Sequence, residues 1–354
     1  MSKKAIIAMS GGVDSSVAAF LMKEKGFDCI GATMKLYDNE DINIDTEKTC
    51  CSLSDIEDAR YVAVKLSMPY YVFNFKDKFK EKVIDKFIET YENGGTPNPC
   101  IECNRHLKFA KLFERMNELN FDYIVTGHYA RIEEKDGKYF LKKAVDHSKD
   151  QSYVLYSLTQ EQLSHLILPL GEYQKSEIRD IAEAQGFINA RKKDSQDICF
   201  VPDGDYAKFI EGYSGKSYPK GNFIDKKGNV LGQHNGIIRY TNGQRKGLGV
   251  AFGKPMYVAD KNIKDNTVTL CTNDELYSSE LIAEDFNWII DEPKNEIKCY
   301  ARVRYNMKEQ PAKATVLDDG RVKVTFDEPQ RAITRGQAVV LYNDDYVLGG
   351  GTII

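Results

Sequence analysis

Short apolar runs alternate with amphipathic stretches over residues 1–190 of the chain. Residues 14–25 carry apolar side chains at helical spacing and precede Gly26, a common helix stop, so they predict a helix. Residues 176–185, followed by Gly186, predict another. The apolar runs that predict strands are residues 5–9, 28–34, 69–75 and 122–126. Strands separated by helices are typical of a parallel sheet covered on both faces.

Ser54 and Glu57 have the spacing of a capping box, in which each side chain satisfies a backbone donor of the other. We therefore expect a helix to begin at Ser54. After about residue 205 the pattern changes, because turn pairs such as Asp319-Gly320 separate short alternating stretches. That texture is typical of antiparallel strands.

The expected fold class is α/β, a Rossmann-like parallel-sheet domain followed by two small β-rich modules, the last a β-barrel. The expected domains are residues 1–204, 205–276 and 277–354. A chain of 354 residues is long enough for several domains.

Composition narrows the function classes. A net charge of −4 argues against a protein that coats nucleic acid indiscriminately, although it leaves room for local basic patches. We expect no membrane partner, because no apolar run approaches the length that spans a bilayer and the first residues lack a signal-peptide core. These observations predict a cytoplasmic protein.

The loop at residues 10–16 joins the first predicted strand to the first predicted helix and contains Gly11 and Gly12. A glycine-rich turn at a helix N-terminus offers backbone donors to phosphate; a tight turn without a ligand is the alternative. The lysine of the Walker A motif and the spacing of the dinucleotide motif are both absent from this loop. Asp14 is a candidate ligand for a magnesium ion, and a helix-capping role is its alternative.

Two other strand ends are expected at the same crevice, since ligands bind outside the carboxyl ends of parallel strands. Met34 ends the second predicted strand, and Gly127 and His128 follow the strand at residues 122–126. We expect His128 to be functional at this position, whereas a buried, satisfied histidine is the alternative.

Five of the eight cysteines fall into two groups. Cys29, Cys271 and Cys299 are isolated and are interpreted as small buried hydrophobes. Cys103 lies near Arg105, and Cys199 follows a basic run at residues 191–193. Nearby positive charge lowers a thiol pKa and favours the reactive thiolate, so these two are candidate nucleophiles.

The loop at residues 10–16 resembles the pyrophosphate loop of the ATP pyrophosphatase superfamily. Over essentially its full length the chain resembles the bacterial tRNA-specific 2-thiouridylases. The matching blocks, in the order of that family, are AMSGGVDSSV, TPNPCIECNRHLKF, VTGHYAR, KDQSYVL, KDSQDICF, NGQRKGLG and RGQAVVLY. The resemblance implies ATP-dependent replacement of O2 by sulfur on the wobble uridine of tRNA, with Mg²⁺ and a sulfur donor or persulfide carrier as further requirements.

The resemblance also implies roles for particular residues. Cys199 would carry the sulfur as a persulfide, and Cys103 would be the partner nucleophile that forms a transient disulfide with it. The implied ATP-binding residues are Ala8, Met9, Ser10, Gly11, Gly12, Val13, Asp14, Ser15, Met34 and Gly127. The implied tRNA contacts are His128, Lys149, Asp150, Gln151, Arg304, Tyr305 and Gln337.

The chain departs from the commoner family pattern at Cys100, where that pattern has an aspartate, and at Cys50-Cys51. Cys100, Cys103 and Cys199 could hold three irons of a [4Fe–4S] cluster. A structural zinc completed by Cys50 or Cys51 is another interpretation, and a persulfide mechanism without a metal is the third. The sequence leaves these three routes open.

Two stretches of the β-rich region, residues 239–254 and 298–313, are locally basic. Such stretches suit phosphate contacts that position a folded RNA, although a solvated strand face is the alternative. Two other functions remain open from the residues: a synthetase acting on a small molecule, and a non-catalytic protein that binds ATP and RNA.

Overall fold

The computed structural model describes residues 2–38, 53–192, 194 and 198–354. The chain divides into two compact units, each described separately below. The first comprises Met1–Ile84, Pro99–Gly204 and Asp345–Val347, and the second comprises Asp85–Asn98, Asp205–Asp344 and Leu348–Ile354. No helix in the described ranges is long and apolar enough to cross a membrane.

The first unit contains a five-stranded sheet in the order β3-β2-β1-β4-β7, with every adjacent pair parallel. Strand β1, in the middle of the sheet, is buried along most of its length, and its Ile6 and Ile7 are fully inaccessible to solvent. The strands are β1 Lys4–Ala8, β2 Asp28–Lys35, β3 Tyr70–Asn74, β4 Tyr123–Val125 and β7 Leu166–Ile167. The sheet confirms the Rossmann-like α/β domain that the sequence predicts.

The helices of the first unit include the predicted ones, with bounds that agree within two residues at most ends. The α-helices are α1 Val13–Glu24, α2 Leu53–Lys65, α3 Lys76–Phe79, α5 Pro99–Cys103, α6 Leu112–Glu118, α7 Gln160–Ser164 and α8 Lys175–Ala184. The π-helical segments are Lys80–Ile84 and Asn104–Lys111, and 3-10 turns occur at Ser152–Leu155 and Pro169–Glu172.

Two features of the first unit differ from expectation. Helix α2 begins at Leu53, so Ser54 lies within its first turn and not at the cap position. An antiparallel hairpin, β5 Ala130–Lys135 and β6 Lys138–Lys143, follows the sheet strand β4. Its turn residues, Asp136 and Gly137, both have positive φ, which is the backbone that an Asp-Gly hairpin turn requires.

The second unit begins with two helices, α4 Asp85–Glu92 and α9 Tyr206–Ser214. The β-rich region expected after about residue 205 begins with a helix, since α9 occupies Tyr206–Ser214. Asp205 caps α9 by accepting a hydrogen bond from the Lys208 backbone, and Gly215 ends it in the left-handed conformation. Phe209 of α9 packs edge-to-face on Phe87 of α4.

The rest of the second unit is β-rich, as predicted. One sheet has the order β10-β11-β8-β9, formed by β8 Gly221–Ile224, β9 Val230–His234, β10 Tyr257–Asn262 and β11 Thr267–Cys271. Single 3-10 turns occur at Ile237–Arg239 and Asn273–Leu276.

The remaining strands have the order β12-β15-β14-β13-β16-β17, and β12 pairs again with β17, which closes a six-stranded barrel. They are β12 Tyr277–Trp288, β13 Ile297–Arg302, β14 Gln310–Val316, β15 Val322–Arg331, β16 Ala338–Asn343 and β17 Tyr346–Ile353. Closure leaves no unpaired sheet edge. The predicted C-terminal β-barrel is confirmed.

Candidate nucleotide and thiol site

The loop at residues 10–16 leads from β1 into helix α1 through Gly12, which occupies the N-cap position. Ser15 and Ser16 both donate their hydroxyl hydrogens to the Gly12 carbonyl, at 3.1 and 3.0 Å. The N-cap residue is a glycine and therefore offers no side-chain cap to the first-turn N–H groups of α1. A helix N-terminus in this state favours an anionic ligand, since its backbone donors and dipole both point outward.

Two glycines allow the close approach of backbone segments around this loop. Gly11 has a φ of +71°, and a Cβ there would lie 2.3 Å from the Asp55 carbonyl oxygen of α2. A Cβ on Gly127, just after β4, would lie 2.9 Å from the backbone nitrogen of Ser15. The predicted ATP-binding residues of β1, the loop, the end of β2 and Gly127 therefore belong to one end of the parallel sheet.

The loop is also held from the segment after α8. Asn189 donates from Nδ2 to the Gly11 carbonyl and to Ser16 Oγ, both at 2.9 Å. Lys192 lies 3.3 Å from the same carbonyl and forms an ion pair with Asp55 at 2.5 Å. These contacts fix the backbone of the loop in place, which is the preorganisation that a phosphate site needs.

Asp14, in the first turn of α1, lies in a cluster of charged groups. Lys175, the first residue of α8, donates to both Asp14 carboxylate oxygens at 2.7 and 2.8 Å. The Tyr129 hydroxyl donates to Asp14 Oδ1 at 2.7 Å. Burial, together with the Asp14 carboxylate, raises the pKa of Tyr129 well above its usual range, so this hydroxyl stays protonated. Asp14 thus presents a fixed carboxylate beside the helix N-terminus.

Asp194 extends the cluster. Its Oδ1 accepts from Lys175 at 2.9 Å and from Arg179 at 3.2 Å, and its Oδ2 accepts from Lys149 at 2.9 Å. Burial alone would raise the pKa of Asp194, but the hydrogen bonds from Lys149 and Lys175 hold it below its ordinary value. Asp194 is therefore ionised at neutral pH and is shared among three cations.

His128 is buried and neutral. Burial, and then the Lys108 ammonium, place the pKa of His128 well below its usual value. Its Nε2 lies 3.4 Å from Lys108 Nζ, which can only donate, so Nε2 accepts. Nδ1 therefore carries the proton and donates to Thr126 Oγ1 at 2.7 Å. Both interpretations of His128 describe part of this environment, since it is buried and satisfied yet stands at a strand end beside the loop.

The other predicted tRNA contacts of the first unit are engaged within it. Asp150 is buried and accepts hydrogen bonds from the Ala144 backbone and the Ser152 hydroxyl. Gln151 accepts from the Tyr129 backbone at 3.0 Å. Of this group, Lys149 has the most exposed side chain, at 39%, and it stays a predicted tRNA contact with its partner Asp194.

The predicted contacts of the second unit also have internal partners. Arg304 donates to the backbone carbonyls of Asn242 and Ala332, both at 3.0 Å. The Tyr305 carbonyl accepts from Arg302. Gln337 donates to the carbonyls of Thr96 and Pro97 at 2.8 and 3.2 Å. In this structure Gln337 thus holds the segment that leads into the CxxC helix α5.

Cys100 and Cys103 lie three residues apart on α5, Cys100 exposed and Cys103 half-buried. Cys199 is also half-buried, and its carbonyl accepts from the Tyr37 hydroxyl at 2.8 Å. In the part of the chain that the structure describes, no disulfide joins Cys103 to Cys199. The predicted transient disulfide would be a different state of these thiols.

The described residues offer no ligand set for the cluster interpretation. No three His, Cys, Asp or Glu side chains among the described residues are grouped to hold a metal ion, and that search includes Cys100, Cys103 and Cys199. The three thiols therefore do not fit a [4Fe–4S] cluster as they stand. Cys50 and Cys51, invoked for zinc, lie outside the described residues.

The three cysteines interpreted as structural are buried, which confirms that interpretation. Burial raises the pKa of Cys29 to about 11 and that of Cys299 to about 12. Burial is also the main cause that raises the pKa of Cys271. All three are therefore poor thiolates.

Sequence reasoning missed Lys175, Tyr129, Asp194 and Lys108 as members of the site. Tyr129 and Asp194 stand inside matching blocks, next to residues that were singled out. Lys175 directly precedes a predicted helix but is far from Asp14 along the chain. No local pattern marks a lysine that reaches another strand end, so only the fold brings the two together.

Three family models match the chain. They are the tRNA methyl transferase HUP domain at residues 3–203, the tRNA methyl transferase PRC-barrel domain at 207–272 and the aminomethyltransferase beta-barrel domain at 278–353. The tRNA-specific 2-thiouridylase MnmA of Clostridioides difficile (strain 630) is 52% identical over 356 residues, covering 100% of this chain and 98% of that protein.

The tRNA-specific 2-thiouridylase MnmA 1 of Thermoanaerobacter sp. (strain X514) is also 52% identical, covering 99% of this chain and 98% of that protein. Among solved structures, a 4-thiouridine synthetase–RNA complex with bound ATP matches with a TM-score of 0.39 and 18% identity. That match covers 60% of this chain and 50% of the other.

Proposed function

Because the chain belongs to the family of tRNA-specific 2-thiouridylases, we propose that it replaces O2 of the wobble uridine in tRNA by sulfur at the expense of ATP. The observation that carries the proposal is the fixed pyrophosphate loop at the N-terminus of α1, where the N-cap residue is Gly12, in a chain that matches its relatives from end to end. Helix N-termini of this kind stabilise phosphate groups.

The proposed reaction has two stages. Uracil O2 attacks the α-phosphate of ATP, the bond between the α- and β-phosphates breaks, and pyrophosphate leaves. The outer sulfur of a Cys199 persulfide then attacks C2, and AMP leaves with the former O2. Splitting one difficult displacement into two easier steps is what covalent activation supplies.

Cys103 completes the cycle in this proposal. Its thiolate attacks the Cys199 sulfur, the sulfur–sulfur bond to the base breaks, and 2-thiouridine is released. The electron pair of that bond stays on the departing sulfur, so the enzyme is left with a Cys103–Cys199 disulfide. An external dithiol reduces the disulfide, and a persulfide donor reloads Cys199.

Asp14 is the residue that would hold Mg²⁺, because its carboxylate stands at the helix N-terminus where the phosphates would lie. A bound Mg²⁺ neutralises charge on the departing pyrophosphate. We also propose that the chain acts in the cytoplasm on tRNA, with residues 1–204, 205–276 and 277–354 as three modules. The ranges of the matching family models support these boundaries.

The experiment combines purified protein, unmodified tRNA transcript, MgATP and a persulfide donor, and measures pyrophosphate and 2-thiouridine by mass spectrometry. We expect both products from the wild type. Cys103→Ser and Cys199→Ser should abolish 2-thiouridine while tRNA binding persists. A non-catalytic binder would release no pyrophosphate, and a small-molecule synthetase would release none in response to tRNA.

Cys100→Ser separates the persulfide route from the cluster. The persulfide route uses Cys103 and Cys199, so this variant should retain most of the wild-type rate. A cluster would need Cys100 as a third ligand, and the variant would then lose both activity and iron. Iron analysis of anaerobically purified wild type is the second measurement, and stoichiometric iron would contradict the persulfide route.

A further inference from the structure

ATP and tRNA, the two ligands of the proposed reaction, would each contact a residue of one charged cluster. This cluster consists of Asp14, Lys175, Asp194 and Lys149. Asp14 belongs to the ATP loop, and Lys149 is a predicted tRNA contact. Lys175 and Asp194 have no role in the reaction described so far. They connect the other two through an unbroken series of ion pairs between 2.7 and 2.9 Å.

The hydrogen bonds of Lys175 are complete in this arrangement. An ammonium group has three hydrogens, and the three acceptors are Asp14 Oδ1, Asp14 Oδ2 and Asp194 Oδ1. The Lys175 side chain is only 10% exposed, so water offers it little alternative. Both Asp14 oxygens are therefore occupied by a protein cation at the position where the triphosphate and its metal ion would need them.

Asp194 is positioned to change how strongly Lys175 is held on Asp14. It divides its charge among Lys175, Lys149 and Arg179. Of these three partners, Lys149 is the one whose ammonium would donate to an acceptor atom on the tRNA. Removing that cation would strengthen the attraction between Asp194 and Lys175, because less of the Asp194 charge is compensated elsewhere.

We propose that Asp194 and Lys175 are positioning residues that couple tRNA binding to ATP binding. When tRNA binds the Lys149 ammonium, Lys149 leaves Asp194. Asp194 then attracts Lys175 more strongly, so Lys175 moves away from Asp14. The Asp14 carboxylate becomes available to MgATP. ATP is then bound more tightly in the presence of the acceptor, which limits its wasteful cleavage. This inference rests on the proposed function, in which tRNA and ATP are the two ligands, and on the predicted contact between Lys149 and tRNA.

Thermodynamic coupling gives a direct test. We expect unmodified tRNA transcript to increase the affinity for α,β-methylene-ATP with Mg²⁺ by at least about fivefold, the lower end of common allosteric couplings. The nucleotide should increase the affinity for tRNA by the same factor, since coupling of binding free energies is reciprocal. Isothermal titration calorimetry measures both without any turnover.

Two variants should change nucleotide binding in different ways. Lys149→Met leaves Asp194 to Lys175 and Arg179, so it should bind the analogue about fivefold more tightly than wild type without tRNA. Asp194→Asn leaves Lys175 on Asp14, so tRNA should change its nucleotide affinity less than twofold, a loss of most of the coupling expected for wild type. Asp180→Asn, an exposed carboxylate on the same helix α8, is the matched control and should behave as wild type.

A merely structural role for these residues would weaken nucleotide binding in both variants. If Asp194→Asn unfolds at a lower temperature, the nucleotide affinity of Lys149→Met still tests the inference. A folding defect would not make that variant bind the analogue more tightly. Unchanged or weaker affinity in Lys149→Met overturns the inference. A wild type that makes 2-thiouridine without any tRNA effect on nucleotide affinity also overturns it and leaves the proposed function intact. A wild type that makes no 2-thiouridine contradicts the proposed function instead.

Discussion

His128 is held as a neutral imidazole by burial, by the Lys108 ammonium on one side and by Thr126 on the other. Its folded pKa is depressed, so the unfolded chain takes up a proton near the ordinary value of 6.5 while the folded chain does not. The stabilisation is therefore present above pH 6.5 and is lost as the pH falls below it. The loss has an upper limit of about 1.4 kcal/mol per pH unit for one proton.

We predict that His128→Gln reduces the fall in unfolding free energy between pH 6.5 and 5.0, measured by urea denaturation at each pH. His147→Gln, which removes a histidine at an exposed position, is the matched control. An unchanged slope in His128→Gln would show that this histidine is protonated in the folded protein. The sequence placed His128 at the correct strand end, but Lys108, which fixes its tautomer, is close only in the fold.

At the level of elements, the contact between the end of β4 and the first turn of α1 depends on Gly127. A Cβ there would lie 2.9 Å from the Ser15 nitrogen and from the Asp14 carbonyl carbon, both of which are backbone atoms that cannot rotate away. We predict that Gly127→Ala displaces the start of α1, lowers the free energy of unfolding by about 1–3 kcal/mol and weakens ATP binding. Denaturant unfolding and nucleotide titration measure the two effects.

Gly212→Ala in helix α9 is the matched control. Gly212 does not have positive φ, and a Cβ there would meet nothing within 4 Å. Alanine should therefore stabilise the helix by about 0.5–1 kcal/mol through the entropy of the unfolded chain. Equal tolerance of alanine at both positions would contradict the tight contact at Gly127.

The elements also show what sequence patterns can and cannot reveal. Helices α1 and α8 were predicted because apolar spacing and a following glycine mark them locally. Helix α9 was missed although Asp205 and Gly215 mark its ends locally, and its Phe209 packs on Phe87, which is distant in sequence. The same distinction applies to the candidate site. The loop at residues 10–16 is contiguous in sequence and was predicted. Lys175 contacts Asp14 across 161 positions and was not predicted.

At the scale of the whole molecule, a net charge of −4 requires that tRNA be bound through local basic groups. Arg245 and Lys246 are exposed within the predicted basic stretch, whereas Arg239 of that stretch forms an ion pair with Glu211 at 2.7 Å. An arginine already paired with a carboxylate has less to offer a phosphate. The stretch looks uniformly basic in the sequence, but the structure distinguishes the exposed Arg245 and Lys246 from the paired Arg239.

We predict that Arg245→Gln with Lys246→Gln weakens tRNA binding and reduces the slope of log affinity against log salt by about one to two, because each phosphate contact releases about one counterion. Filter binding across salt concentrations measures the slope. Lys220→Gln with Lys227→Gln removes two exposed lysines of the same unit outside the stretch and should leave the slope unchanged. Equal slopes for both double variants would show that this basic stretch is only a solvated surface, since a phosphate contact cannot be lost without its counterion.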